Sequence, residues 1–354
     1  HFTLTLTNQD RDTVSGLSGV TATTTSYQRP STTAWFAGRV FYSGINYVGF
    51  NSNIYFTQIV ERNEQYGFCH QTNDPTSEDT FDLLPSDGGV IKIPEAGTIF
   101  KLFSIPGGLA VFAANGVWFV TGSTGLGFTA NDHTVQKIGY IPAISASSFV
   151  DVLGFPCWWN SEGIYILTSE GQLPKVDSLT DTTIKSFYED IPLSSKRRAR
   201  GFYHNIEKKI TWVYSTEDTD QLTTGYEFDR ILNFNVRTGA FYPWRITDST
   251  VKLHGILVTD ASAGAVSVDN VLSAASDNVV DSNTDQVVVF TVTGGTVSPT
   301  DKYLVSYLDG ANYKFTFAET RNTDYLDWYQ YDLAGENFDS YFVTGYKLRG
   351  EGIR

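Results

Sequence analysis

The sequence contains almost no sulfur: its 354 residues include no Met, and Cys69 and Cys157 are the only cysteines. Two cysteines without Cys-x-x-Cys spacing exclude a disulfide framework, and we interpret both as buried, reduced thiols. Such thiols indicate synthesis in a reducing compartment. A sequence without Met or a signal peptide, beginning at His1 and ending at Arg354, is expected to be one stretch of a longer protein.

Basic residues and long apolar runs are also scarce. The chain has 25 Lys and Arg against 39 Asp and Glu, a net charge of −14, and a pI near 4.7. This balance argues against a sequence-reading nucleic-acid binder and against a polybasic membrane anchor, since both need basic surfaces. No run of 18 apolar residues occurs, so the sequence predicts no transmembrane helix and no membrane anchor.

Motifs for catalysis or metal binding are absent or incomplete. The strings that come nearest are Ser15-Gly16-Leu17-Ser18-Gly19 for a nucleophile elbow, residues 125–130 (GLGFTA) for a dinucleotide loop, Asp218 and Asp220 for a calcium loop, and Ser86-Asp87-Gly88-Gly89 for an Asp box. The first string has the wrong spacing, and the second precedes residues 131–137, which read as a strand where a dinucleotide site needs a helix. The five histidines form no HxH or HExxH pair. We predict no catalytic residue, no metal site and no cofactor.

What the chain does contain is aromatic residues and recurring hairpin patterns. It is 14% aromatic, which favours strands, and no long stretch has helical periodicity. Asn115-Gly116 lies between two apolar strands, and similar hairpins turn near Glu162 and Glu207, at spacings of 46 and 45 residues. This period is typical of β-propeller blades. We predict an all-β propeller with loop insertions and hairpins centred near residues 52, 116, 162, 207, 238 and 310.

Composition divides the chain into four regions. We predict an N-terminal edge strand and polar loop over 1–30, propeller blades over 31–250, a polar insertion over 251–300, and further strands returning to the propeller over 301–354. Two polar, Gly-, Asp- and Ser-rich segments, 61–89 and 260–286, are predicted to reach neighbouring subunits or fibres.

Several segments in sequence order resemble one family. They are WFAGRVFYSG, NIYFTQIV, NDPTSEDTFD, IFKLFSIPGGLAVFAANGVWFVTG, GFTANDHTVQKIGYIPAISASSFVDVLGFPCWWNSEGIYIL and NFNVRTGAFYPWRI. Together they cover roughly residues 30–250 and resemble the tail nozzle protein (tail tubular protein B) of short-tailed phages, with YKLRGEGIR as a further match. Residues 251–340 match no part of that pattern.

The resemblance implies a virion protein, made in the host cytoplasm, that forms a propeller-based ring at the distal end of the tail. It further implies a homohexamer below an adaptor ring, a channel through which genomic DNA leaves without sequence-specific binding, and a seat for tail fibres. The alternative is a propeller that binds or cleaves carbohydrate, such as a receptor-binding module. A groove with stacked Trp and paired carboxylates would favour that alternative. A third interpretation is an interaction scaffold that does not self-assemble.

Two charged clusters are candidate contact sites. Lys196, Arg197, Arg198 and Arg200 form a basic run that is either a solvated edge or a contact with an acidic neighbouring subunit or DNA. We predict a subunit contact there. A cluster of acidic residues comprises Glu61, Glu64, Asp74, Glu78, Asp79 and Asp82. We predict that this cluster lines the channel, where repulsion would keep DNA from binding the wall. The alternative is that these acidic residues only keep the protein soluble.

Overall fold

A computed structural model describes residues 2–3, 29–47, 49–72, 82–123, 127–170, 173–216, 227–246, 252–258, 265–270, 288–293, 301–309 and 312–319. Within them the chain is mainly β, as predicted from its aromatic content. The strands, in chain order, are β1 (Phe2–Thr3), β2 (Thr32–Phe36), β3 (Arg39–Ser43), β4 (Asn53–Phe56), β5 (Phe68–Cys69), β6 (Gly89–Lys92), β7 (Ile99–Ile105), β8 (Gly108–Ala113), β9 (Gly116–Gly122), β10 (His133–Gly139), β11 (Val150–Val152), β12 (Phe155–Trp159), β13 (Ile164–Glu170), β14 (Leu173–Ser178), β15 (Arg200–His204), β16 (Lys209–Tyr214), β17 (Arg230–Asn235), β18 (Ala240–Arg245), β19 (Lys252–Val258), β20 (Ala265–Asn270), β21 (Val288–Thr293), β22 (Asp301–Asp309) and β23 (Asn312–Glu319).

The helical elements of these residues are short. They are the α-helices α1 (Lys185–Glu189) and α2 (Leu193–Arg198) and two 3₁₀ turns, Asn63–Gly67 and Pro94–Ala96. None of the helices in this part of the chain is long and apolar enough to cross a bilayer. The prediction of few helices is therefore confirmed for the described residues.

Four antiparallel sheets of four strands follow one another along the chain. We name them sheet 1 (β2-β3-β4-β6), sheet 2 (β7-β8-β9-β10), sheet 3 (β11-β12-β13-β14) and sheet 4 (β15-β16-β17-β18). Smaller sheets pair β1 with β5, β20 with β21, and β22 with both β19 and β23. Contacts divide the chain into two compact units, one containing the described residues up to Gly201 and the other those from Phe202 onward.

The predicted hairpins are confirmed, but the strict spacing between three of them was misread. The turns near Asn115 and Glu162 join the second and third strands of sheets 2 and 3, whereas the turn near Glu207 joins the first and second strands of sheet 4. The true repeat lies in the sheets themselves, since sheets 2, 3 and 4 begin at Ile99, Val150 and Arg200, about 50 residues apart. The turn at Gly116 also lies one residue earlier than predicted, because Gly116 already pairs with Ala113.

Two tight turns in the first unit have the backbone geometry that their glycine residues favour. In the turn between β2 and β3, Ala37 and Gly38 have φ of 50° and 70°, and in the turn between β11 and β12, Leu153 and Gly154 have φ of 57° and 90°. Positive φ at both central positions is the type I′ geometry, whose twist matches that of the flanking strands. Glycine adopts that backbone without steric cost, so each turn needs only one strained non-glycine residue.

Adjacent sheets of the first unit pack face to face. Phe41 and Phe56 of sheet 1 share a core with Val111 of sheet 2, and Phe128, which follows β9, has its ring centroid 5.1 Å from that of Phe41. The opposite face of sheet 2 packs on sheet 3, where the Phe112 and Trp158 ring centroids are 4.8 Å apart. All six residues of β8 are buried. Each large side chain buried in this way stabilises the fold by about 1.5–3 kcal/mol.

Candidate interaction surfaces

The predicted basic contact site centres on α2, and its first member is not at the surface. Lys196 is only 4% exposed. Its Nζ donates a hydrogen bond to the Ser161 carbonyl oxygen at 3.0 Å and lies 4.5 Å from the ring centroid of Tyr188. Burial lowers the pKa of Lys196, an effect that nearby Glu189 opposes. Lys196 therefore ties α2 to the turn between β12 and β13.

Tyr188 completes this attachment from α1. Its hydroxyl donates to the Asn160 carbonyl oxygen at 2.5 Å, and its ring meets that of Trp159 edge-on with centroids 5.1 Å apart. Burial raises the pKa of Tyr188 well above its usual value, so the phenol stays protonated. The Asn160 side chain donates to the Pro142 carbonyl oxygen at 2.7 Å. We call Tyr188, Lys196, Asn160, Trp159 and Ser161 the lysine anchor.

The other basic residues differ in exposure. Arg197 is exposed, whereas Arg198 and Arg200 are partly buried and Arg200 already belongs to β15. Leu193, one helical turn before Arg197, is 45% exposed. The interpretation of the run as a charged strand edge is wrong for Lys196–Arg198, since those residues are helical. The subunit contact stays a prediction, and its solvent-facing charge is that of Arg197.

The predicted acidic cluster is described for three of its six members. Glu61, Glu64 and Asp82 are exposed, and Asp82 accepts a hydrogen bond from the Gln71 side chain at 2.7 Å. Asp74, Glu78 and Asp79 lie outside the described residues. The backbone N–H of Glu61 donates to the Gln65 side chain at 2.7 Å, which fixes the start of the 3₁₀ turn. That the acidic cluster lines a channel stays a prediction.

Sequence reasoning missed the most connected polar residue of sheet 1, Arg39. It is 1% exposed, and its guanidinium donates to the carbonyl oxygens of Thr57 at 2.6 Å and Ser86 at 3.3 Å, and to those of Asp87 and Pro85. Burial lowers the pKa of Arg39 to about 10, while Asp87 opposes that shift. Its planar fork suits several carbonyl oxygens at once. The sequence feature that could have drawn attention to Arg39 is its place directly after the tight Ala37-Gly38 turn.

Asp87 holds the two chain segments that meet at this point. Its carboxylate accepts hydrogen bonds from the Thr72 backbone N–H at 2.9 Å, the Thr72 hydroxyl at 2.7 Å and the Leu84 backbone N–H at 2.9 Å. Burial alone would raise the pKa of Asp87, but these hydrogen bonds hold it below the ordinary value of 3.8. The role of the Ser86-Asp87-Gly88-Gly89 string is therefore structural. We call Arg39, Asp87 and their partners the arginine anchor.

Two aromatic side chains of the same region face solvent. Trp35 is 52% exposed and Tyr66 is 36% exposed, with ring centroids 6.4 Å apart at an interplanar angle of 63°. The Tyr42 hydroxyl donates to the Tyr66 carbonyl oxygen at 2.7 Å and so holds the 3₁₀ turn against sheet 1. Exposed Trp and Tyr side chains are enriched at binding surfaces.

The described residues contain no group of three or more His, Cys, Asp or Glu side chains placed to hold a metal ion. The Ser123 hydroxyl donates to Asp132, and the His254 Nε2 lies 2.7 Å from the Ser306 hydroxyl across β19 and β22. Strand β10 follows the GLGFTA run, as predicted. Ser15–Gly19, Asp218 and Asp220 lie outside the described residues.

Both cysteines are free and buried, as predicted. Burial raises the pKa of Cys69 to about 12 and raises the pKa of Cys157 as well. Thiolate, the reactive form, is therefore scarce in the folded chain.

No family model matches this chain, and no curated protein matches it.

Proposed function

We propose that this chain is a structural subunit of a ring at the end of a short phage tail, and that its four-stranded sheets are blades of a β-propeller. The observation that carries the proposal is the series of four consecutive antiparallel four-stranded sheets, of which sheets 1, 2 and 3 stack face to face. Radial repetition of such sheets is how a propeller is built.

The resemblance to tail nozzle proteins supports the same proposal. Two of its motifs lie in well-formed hairpins: WFAGRVFYSG covers the end of β2, a type I′ turn and β3, and NFNVRTGAFYPWRI covers the second half of β17, its turn and β18. A propeller subunit of this kind would assemble as a homohexamer below an adaptor ring, with tail fibres attached to it and genomic DNA passing through its centre.

Sheet packing suits a conduit that must keep its shape. A sheet whose two faces are both covered, like sheet 2, loses many contacts if it moves, because protein interiors are close-packed. Acidic side chains on a channel wall would repel DNA over about 8–10 Å at physiological salt. The proposed ring thus combines a stiff frame with a wall that DNA does not bind.

Electron microscopy tests the proposal directly. Negatively stained full-length protein should form six-fold rings with a central hole. A monodisperse monomer at micromolar concentration would contradict the ring. If rings form, replacing lumenal Asp and Glu by Lys should slow DNA release in an ejection assay, most at low salt; unchanged kinetics would leave the acid a role in solubility only.

A second candidate, carbohydrate binding, rests on the exposed Trp35–Tyr66 pair. Aromatic rings combined with carboxylates are the chemistry that such a site uses, and the exposed Glu64 belongs to the same 3₁₀ turn as Tyr66. A glycan array distinguishes the candidates: binding that Trp35→Ala abolishes, by a chain that forms no ring, would favour the carbohydrate-binding protein.

A further inference from the structure

The last strands of the four four-stranded sheets differ in how their free edges are protected. Natural sheets protect edge strands by making them short or by placing proline or charge on them, because an open edge pairs with other chains. β6 is only four residues long and ends in the exposed Lys92. β14 contains Pro174 and the Lys175–Asp177 ion pair of 2.7 Å, and β18 contains Pro243 and Arg245.

Strand β10 has none of these protections along its first half. It is seven residues long and lacks proline, and Thr134, Val135 and Gln136 are exposed in succession. Adjacent residues point to opposite faces of a strand, so exposure of three in a row means that both faces are open there. Within the described residues, β10 pairs only with β9.

The far end of β10 is covered, which limits the open segment to its first half. A bulge lies between Lys137 and Gly139. A Cβ atom added to Gly139 would come within 2.9 Å of the Val176 Cγ2, so sheet 3 closely approaches this end. Within the described part of the chain, the free edge therefore extends over His133–Gln136.

Lys137 lies directly after the free edge and does not guard it. The Nζ of Lys137 lies 4.9 Å from the ring centroid of Trp118 and 4.5 Å from that of Tyr140, which is itself 84% exposed. Trp118 is the cross-strand neighbour of Lys137 on β9, so these rings hold the ammonium over the face of the sheet that also carries Val135 and leave the backbone edge itself open. Among the described residues, Lys137 forms no ion pair.

We propose that the free edge of β10 binds an extended segment of a partner protein by β-strand addition. Backbone hydrogen bonds to the edge would supply affinity, and alternate side chains would supply specificity. Val135 and Lys137 lie on the same face, two residues apart, so the segment should present an aliphatic residue and a carboxylate at the same separation. The carboxylate pairs with the ammonium that the two rings hold. This inference does not depend on whether the chain forms a ring.

Hydrogen exchange of the full chain tests the proposal. The probe is the blocked pentapeptide Thr-Asp-Thr-Val-Thr, which in antiparallel pairing, as in the rest of this sheet, places Asp beside Lys137 and Val beside Val135. At millimolar probe, the amides of His133–Gln136 should exchange at least tenfold more slowly. Val135→Lys, which adds an edge charge, should abolish that protection. The matched control Leu173→Lys changes a side chain of similar exposure, 42%, on the edge strand β14, and should leave protection intact.

A charge exchange checks the carboxylate requirement, and it also covers the case in which Val135→Lys does not fold. Lys137→Glu should weaken binding of the acidic probe at least tenfold, and binding should be restored with the basic probe Thr-Lys-Thr-Val-Thr. Lack of protection in the wild-type chain, or equal protection in every variant, would overturn the proposal. So would sedimentation showing that the chain alone dimerises and that Val135→Lys abolishes dimerisation, since the occupant would then be a second copy.

Discussion

Sheet 1 and sheet 3 each enclose a cation, and they stabilise it by different means. The arginine anchor surrounds Arg39 with four carbonyl oxygens and a nearby carboxyl group, that of Asp87. The lysine anchor gives Lys196 one carbonyl oxygen and one aromatic ring. The first arrangement depends on the cation, because removing it takes the guanidinium donor from the buried carbonyl oxygens of Thr57 and Asp87 and from two partly buried ones. The second depends less on its cation. Without Lys196, the Ser161 carbonyl oxygen loses one donor, but Ser161 lies in an exposed turn where water can replace it.

The largest expected effect breaks the arginine anchor. Arg39→Leu should lower the free energy of unfolding by about 3–5 kcal/mol, because buried carbonyl oxygens lose their donors and Asp87 loses its compensating charge. Arg39→Lys should recover only part of this loss, since one ammonium cannot reach all four acceptors. Urea unfolding monitored by tryptophan fluorescence measures both. A loss below 1 kcal/mol for Arg39→Leu would mean that water replaces the guanidinium.

The second largest effect is expected when the carboxylate of Asp87 is removed and Arg39 is kept. Asp87→Asn should cost about 1.5–3 kcal/mol at pH 7, because charge-assisted hydrogen bonds from Thr72 and Leu84 are lost. The pKa of Asp87 is depressed in the fold, so its contribution is fully present above its unfolded value and disappears as pH falls through the folded one. Unfolding midpoints of wild type and variant should therefore converge below about pH 4. A constant difference down to pH 2 would contradict this assignment.

A third, smaller effect tests whether the two anchors act locally. Cys69 lies in β5, beside the arginine anchor, and Cys157 lies in β12, beside the lysine anchor. Because the pKa of each thiol is raised, labelling requires local opening. Arg39→Leu should accelerate labelling of Cys69 at least tenfold more than that of Cys157. Equal acceleration of both thiols would show that the first unit opens as a whole.

The smallest expected effect concerns the lysine anchor. Lys196→Met should change the free energy of unfolding by less than about 1 kcal/mol, because an apolar side chain of similar length avoids the cost of burying an ammonium. Arg197→Met, an exposed neighbour on the same helix, is the matched control and should stay within about 0.5 kcal/mol of wild type. Urea unfolding of the wild type and both variants measures these differences in free energy. A loss of 3 kcal/mol for Lys196→Met would place the two anchors in the same class.

The anchors also mark where sequence reasoning succeeded and where it could not. Hairpins were predictable because glycines such as Gly116, directly after its turn, and Gly239, at the end of its turn, mark the turns locally between apolar strands. Burial of Lys196 was not, since it depends on Tyr188 and on a turn more than 30 residues away. The sequence run 196–200 looked like one basic surface, yet the helix turns its members in different directions. Arg39 was noted only as part of a hairpin motif, because its acceptors come from residues 57 and 85–87.

The proposed surfaces also divide into those that the sequence shows and those that only the structure shows. The free edge of β10 could not be recognised from its own residues, since Thr, Val and Gln are ordinary in covered strands as well. It stands out only against the prolines of β14 and β18, once all three are known to end their sheets. The acidic and basic clusters, by contrast, were visible as composition, and their roles stay predictions because composition does not say which surfaces meet.

The connectivity of sheet 1 has a consequence for how the chain folds. Sheets 2 and 3 form from strands that follow one another closely, so their pairings cost little loop-closure entropy. Sheet 1 cannot be completed that way, because residues 57–88 separate β4 from its partner β6. Proteins dominated by local contacts fold faster than those that wait for distant ones. During synthesis, β2, β3 and β4 emerge first but remain one strand short, so we expect the fourth strand of sheet 1 to dock in a separate, slower kinetic step.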